Sequence, residues 1–77
     1  MPKLGPVDWR TLVRVFELDG FRQERTKGSH ISLVKDGIKR PVVIPTYSEI
    51  GPDIITSNMR TAGMSRERYF ELLEKAR

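Results

Sequence analysis

The sequence predicts an α+β fold: a two-layer sandwich in which helices cover one face of a three-stranded antiparallel sheet. An apolar helical stripe lies near the N-terminus, and two more helical patterns lie near the C-terminus. Between them, apolar and polar residues alternate with the period of two that is typical of strands. Because 77 residues suit one small domain, we expect a single domain over 1–77 with a thin core.

The first helix is predicted by four apolar residues that share the i, i+3, i+4, i+7 spacing of one helical face: Trp9, Leu12, Val13 and Phe16. Asp8 suits the N-cap, where its carboxylate can accept from a free backbone N–H. Gly20 fits the left-handed position after the helix, from which Phe21 folds back on Phe16.

Three strand-like runs follow, over Phe21–Lys27, Ser29–Lys35 and Ile38–Ile44. Gly28 and the pair Asp36-Gly37 divide them as turn signals, which predicts an antiparallel meander. Pro41 and Pro45 require an edge or strand-end position because proline has no N–H to donate.

Two helices are predicted after the strands. Pro52 begins the first of them and Gly63 ends it, while Ser65 caps the second. The order α-β-β-β-α(-α), with the helices on one face of the sheet, is similar to that of double-stranded RNA-binding domains.

The charge favours a polyanionic partner, since 14 Lys and Arg against 10 Asp and Glu give a net charge of +4. Candidate RNA-binding residues form a basic stripe: Arg25, Lys27, Lys35, Lys39 and Arg40. A stripe of this kind can follow a phosphate backbone. The alternative is a charged, solvated face without a specific ligand.

Several classes of protein are disfavoured. No apolar run is long enough to cross a bilayer and no signal peptide is recognisable, so we expect a cytoplasmic protein without a membrane partner. The absence of cysteine excludes disulfides and thiolate zinc sites. One histidine and scattered carboxylates form no recognisable ligand set, so we predict neither a metal nor a cofactor.

His30 is the only histidine, and histidine is the side chain best suited to proton transfer near neutral pH. It alternates with Ile31 and Leu33, which places it on the face of the sheet away from the helices. Gly28 allows a close approach of the backbone to a ligand and Ser29 adds a donor. The alternative is an ordinary solvated hairpin histidine.

Four segments, in this order and spacing, resemble the HicA toxin family of ribonucleases: Asp19-Gly20-Phe21, Lys27-Gly28-Ser29-His30, Val43-Ile44-Pro45 and Arg60-Thr61-Ala62-Gly63-Met64-Ser65. The resemblance extends from about Val7 to Leu73. It implies an mRNA interferase that is inhibited by a HicB-like antitoxin. It also implies a free toxin that is monomeric and a higher-order complex with the antitoxin.

By this resemblance, His30 occupies the position of the catalytic histidine, with Gly28 and Ser29 shaping its turn. Many members carry a second histidine where this chain has Tyr47.

Metal-independent RNA cleavage needs a base for the 2′-OH, stabilisation of the phosphoryl charge and an acid for the leaving oxygen. His30 suits the base, Arg25, Lys27 and Ser29 suit the phosphate, and water or Tyr47 suits the acid. Tyr47 is equally compatible with a loop aromatic that packs over a helix end. Two other functions stay open: an RNA-binding module without catalysis and a module that docks an acidic protein.

Overall fold

The computed structural model describes residues 3–77, which form three helices and three strands. In chain order these are α1 (Trp9–Leu18), β1 (Arg22–Lys27), β2 (His30–Val34), β3 (Val42–Pro45), α2 (Pro52–Ala62) and α3 (Arg66–Ala76). The strands form one antiparallel sheet in the order β1-β2-β3. The predicted α+β fold is confirmed. None of the helices in this part of the chain has the length and apolarity needed to cross a membrane.

The core lies between the helices and one face of the sheet, with α1 and α2 against the sheet and α3 against α1. The sheet contributes alternate, buried side chains from its central and third strands: Ile31, Leu33, Val42 and Ile44. Opposite them, α1 buries the stripe Leu12, Val13, Val15 and Phe16. Because side chains alternate along a strand, this burial turns a second set outward. We call that outward surface the open face, and it carries Arg25, Lys27, His30, Ser32 and Val43.

The predicted helix ends are confirmed. Asp8 accepts a hydrogen bond from the Arg10 N–H at 2.8 Å, and the Ser65 hydroxyl accepts one from the Arg68 N–H at 3.1 Å. Gly63 ends α2 in the left-handed conformation, with φ of +67°. These caps satisfy backbone groups that have no partner within a helix.

Asp19, at the end of α1, joins three elements through its carboxylate. Its Oδ2 lies 3.6 Å from Lys35 Nζ, just beyond β2, and its Oδ1 accepts from Arg68 Nε on α3 at 3.2 Å. The side chain of Asp19 is only 13% exposed. The hydrogen bond to Asp19, and a second one to Glu71, raise the pKa of Arg68.

As predicted, the turn at Gly20 brings Phe21 back against Phe16, with ring centroids 5.5 Å apart.

Five strand boundaries differ from the prediction, four of them by one residue and the start of the third strand by four. The third strand begins at Val42 rather than Ile38, because the Ile38 N–H donates to the Lys35 carbonyl in a turn and Pro41 has no N–H for the ladder. The second strand begins at His30 rather than Ser29. A tight hairpin requires two unpaired residues, and Ser29 is one of them.

Tyr69 makes the stability of the fold sensitive to alkaline pH. Its side chain is 1% exposed, and its hydroxyl has no hydrogen-bond partner among the described residues. Burial raises the pKa of Tyr69, and the charge of Arg77 lowers it by a smaller amount. The folded protein therefore holds this proton to a higher pH than the unfolded chain does. The contribution of Tyr69 to the free energy of unfolding is therefore fully present below the ordinary tyrosine pKa of about 10 and is lost as the pH rises above it.

We expect Tyr69→Phe to abolish the part of the alkaline loss of stability that comes from Tyr69. Urea unfolding at neutral and alkaline pH measures this loss. At neutral pH the variant should be more stable by about 1 kcal/mol, because it removes a buried hydroxyl without a partner. Tyr47→Phe is the matched control, since Tyr47 is 51% exposed and its change should leave both values as they are. Equal alkaline destabilisation of Tyr69→Phe and the native protein would contradict this assignment.

Candidate active site on the open face

The turn before His30 has two residues, Gly28 and Ser29, since Lys27 pairs with His30. Gly28 has a φ of +58°, and nothing lies within 4 Å of the place where a Cβ would be. The backbone conformation alone therefore favours glycine there. Ser29 does not have a positive φ, and a positive φ at the first turn residue alone is typical of a type II′ hairpin, whose twist matches that of the strands. This turn makes His30 the first residue of β2.

His30 is exposed, whereas Ile31 and Leu33 beside it are buried. Its Cα partners are Lys27 on β1 and Pro45 on β3. Cross-strand partners share a face of the sheet, so the Lys27 side chain emerges next to the imidazole. The expected position of His30 on the open face is confirmed.

Lys27, His30 and Pro45 form one row of paired residues across the sheet. The next row on the open face consists of Arg25 on β1, Ser32 on β2 and Val43 on β3. An irregularity between Gln23 and Arg25 makes this possible, because two steps along β1 correspond there to one step along β2. Within the described chain, neither Arg25 nor Lys27 forms an ion pair. Both charges can therefore meet an anion at the open face.

Thr46 ties the end of β3 to the turn. Its backbone N–H and its hydroxyl both donate to the carbonyl of Ser29, at 2.8 and 3.2 Å. Ser29 directly precedes His30, so these two bonds hold the backbone from which the imidazole projects. No role for Thr46 was predicted from the sequence. Its only sequence signal is its place after the strand-end Pro45, which does not reveal a partner 17 residues earlier.

Tyr47 lies in the loop after β3, two residues beyond the partner of His30. Its carbonyl accepts from the Trp9 N–H at 3.1 Å, which fixes the loop to the start of α1. The ring is half exposed, and its hydroxyl forms no hydrogen bond with His30. Residues 3–77 bring no group of three or more His, Asp or Glu side chains close enough to share a metal ion.

The predicted basic stripe divides into three groups. Arg25 and Lys27 of β1 lie beside His30, whereas Lys35 contacts Asp19 at the end of α1. Lys39 and Arg40 line a separate depression together with Arg60 of α2. The structure therefore does not place the five predicted RNA-binding residues on one continuous surface around His30.

Residues 9–64 match the family model described as HicA toxin of bacterial toxin-antitoxin. The chain belongs to the HicA toxin family. The matched region contains α1, the whole sheet and α2, and with them the turn that carries His30. The resemblance drawn from the four sequence segments is confirmed. No curated protein matches this chain. Membership makes this HicA chain a toxin of a toxin–antitoxin system, with an antitoxin as its partner.

We expect Thr46→Val to loosen the His30 turn of this HicA toxin without unfolding it. The variant keeps the backbone bond to Ser29 and loses the hydroxyl bond, so its stability should fall by about 0.5 to 1 kcal/mol. Hydrogen exchange at the amides of residues 29–31 should become faster, and toxicity should decrease. Thr56→Val is the control, on an exposed position of α2. Exchange equal to that of the control would show that the hydroxyl does not hold the turn.

Proposed function

We propose that this toxin is a metal-independent endoribonuclease that cleaves mRNA and uses His30 as its base. The observation that carries the proposal is a lone, exposed histidine at a rigid turn, beside a lysine without an ion-pair partner, in a chain of the HicA family. The cytoplasm, where mRNA is translated, would be its place of action.

The reaction uses groups that the open face offers. His30, when neutral, takes the proton of a ribose 2′-OH, and the 2′ oxygen attacks the adjacent phosphorus. The bond from phosphorus to the 5′ oxygen breaks, which leaves a 2′,3′-cyclic phosphate and a 5′-hydroxyl. Lys27 and Arg25 stabilise the charge on the phosphoryl oxygens, with Ser29 as a further donor at the turn. Water or Tyr47 supplies the proton to the leaving oxygen.

The antitoxin partner would be a HicB-like protein that covers the same face. A stable complex buries about 800 Å² on each partner, enough to cover much of one side of so small a sheet. Acidic groups of the antitoxin would meet the unpaired cations of β1. The resulting inhibition needs no change in the fold of a toxin that is monomeric when free.

We expect His30→Ala to lower RNA cleavage at least about 100-fold, the usual contribution of a general base. The fold should be unaffected, with a change in stability below about 0.5 kcal/mol, because the side chain is exposed. Cleavage and the ends of the products are measured with purified protein, and Ser48→Ala in the exposed loop is the control. Full cleavage by His30→Ala would refute the catalytic role. Binding without cleavage by the native protein would favour the RNA-binding module instead.

The cations of β1 should position phosphate without reading sequence. In a His30→Ala background, the double variant Arg25→Gln/Lys27→Gln should reduce the slope of log affinity against log salt by about one to two units, at about 0.7 for each phosphate contact with single strands. Affinities for RNAs of different sequence should fall equally. Arg14→Gln/Lys75→Gln, which removes the same charge from the helices, is the control. Equal slopes for the two double variants would show that the RNA does not bind at Arg25 and Lys27.

A further inference from the structure

A groove of about 460 Å³ lies between β3 and α2, outside the site around His30. Val43 and Ile54 provide apolar surface in it, while Ser57, Asn58 and Thr61 provide polar groups. This combination of a partly apolar lining with a few polar groups is typical of sites for small ligands.

Asn58 is the unusual residue in this groove. It is 6% exposed, it is the only buried polar residue in the described chain, and its amide nitrogen has no hydrogen-bond partner. Its neighbours on α2, Ile55 and Met59, are part of the core. A buried amide without a partner destabilises the fold, so an apolar residue of similar size would suit the helix better. Asn58 lines the groove, so a rotation of its side chain toward the groove would let a ligand there accept the missing hydrogen bond from the amide nitrogen.

Positive charge is concentrated at one end of the groove. The neighbouring depression is lined by Lys39, Arg40 and Arg60, and it meets the groove at Thr61, which lines both. None of these three cations forms an ion pair with another residue of the described chain. The carboxylate in the groove, Asp53, lies eight residues before Thr61 on the same helix, or about 12 Å away along the axis.

The groove is continuous with the open face. Val43, which is 41% exposed, pairs with Ser32, and two residues further along β3 Pro45 pairs with His30. Two residues of a strand span about 7 Å. A chain that placed a phosphate at His30 would therefore extend directly into the groove.

We propose that this groove is a nucleotide subsite, in which the Asn58 amide hydrogen-bonds a base and the three cations hold an adjacent phosphate. A base has a flat face that can pack on Val43 and Ile54 and polar edges that can hydrogen-bond with the amide. Hydrogen bonds to the edges of unstacked bases are common in RNA recognition. An acidic peptide would use the cations but not the apolar surface. The identity of the ligand as part of an RNA substrate rests on the proposed function, whereas nucleotide binding itself does not.

Nuclear magnetic resonance can observe this amide directly, because Asn58 and Gln23 are the only carboxamide side chains in the sequence. Each of the four nucleoside 5′-monophosphates is added in turn to the native protein. The Asn58 NH₂ signals should shift, with at least one base favoured, and the Gln23 signals should not. A glutamate-rich peptide should leave Asn58 unmoved. Shifts with the peptide alone, or with neither probe, would overturn the subsite.

The matching variant is Asn58→Leu, with Gln23→Leu on β1 as control. Asn58→Leu should weaken nucleotide binding about tenfold, the effect of one hydrogen bond to a buried group, and should raise the melting temperature. On a long RNA it should also change which positions are cut. Gln23→Leu should change none of these. Unchanged affinity in Asn58→Leu would overturn the role of the amide.

The two proposals fail separately. Nucleotide shifts at Asn58 in a protein that does not cleave RNA would refute the ribonuclease and support the subsite. Cleavage that depends on His30, with no nucleotide effect at Asn58, would refute the subsite alone.

Discussion

Burial of one face of a small sheet against the helices is the constraint on which the rest of this structure depends. A chain of 77 residues has few side chains to spare for a core, so both Ile31 and Leu33 must face inward. Because the strand period is two, His30 must then face outward. The same condition on β3, with Val42 and Ile44 inside, leaves Val43 on the outer surface. The location of the candidate active site therefore follows from the core.

Long-range backbone bonds then fix the position of the site on that face. The loop after β3 is held from two directions, by the bonds of Thr46 to Ser29 and by the bond of Trp9 to Tyr47. A short bridge between Val7 and Ile50 closes the same loop against the chain before α1. The His30 turn, the end of β3 and the start of α1 are thus one connected unit. A rigid support of this kind lowers the reorganisation that a reaction needs.

Two features reduce the regularity of the fold at the surfaces that we propose bind RNA. The irregularity in β1 interrupts the ladder and brings Arg25 into line with Ser32. Asn58 places an amide without a partner where an apolar side chain would pack. Both lie along one path from β1, across the open face, to the groove beside α2. The cation of Lys35 lies off this path, where it stabilises the contact between α1 and α3 through Asp19.

The sequence by itself determined what depends on near neighbours in the chain. The caps Asp8 and Ser65, the glycine stop at Gly63 and the outward direction of His30 all follow from interactions within a few residues or from strand alternation, and so does the order of the elements. The tertiary structure alone decided the partners of Thr46 and Lys35 and the groove around Asn58. These depend on groups that are far apart in sequence and meet only when the sheet and helices pack, and a local pattern carries no information about such contacts.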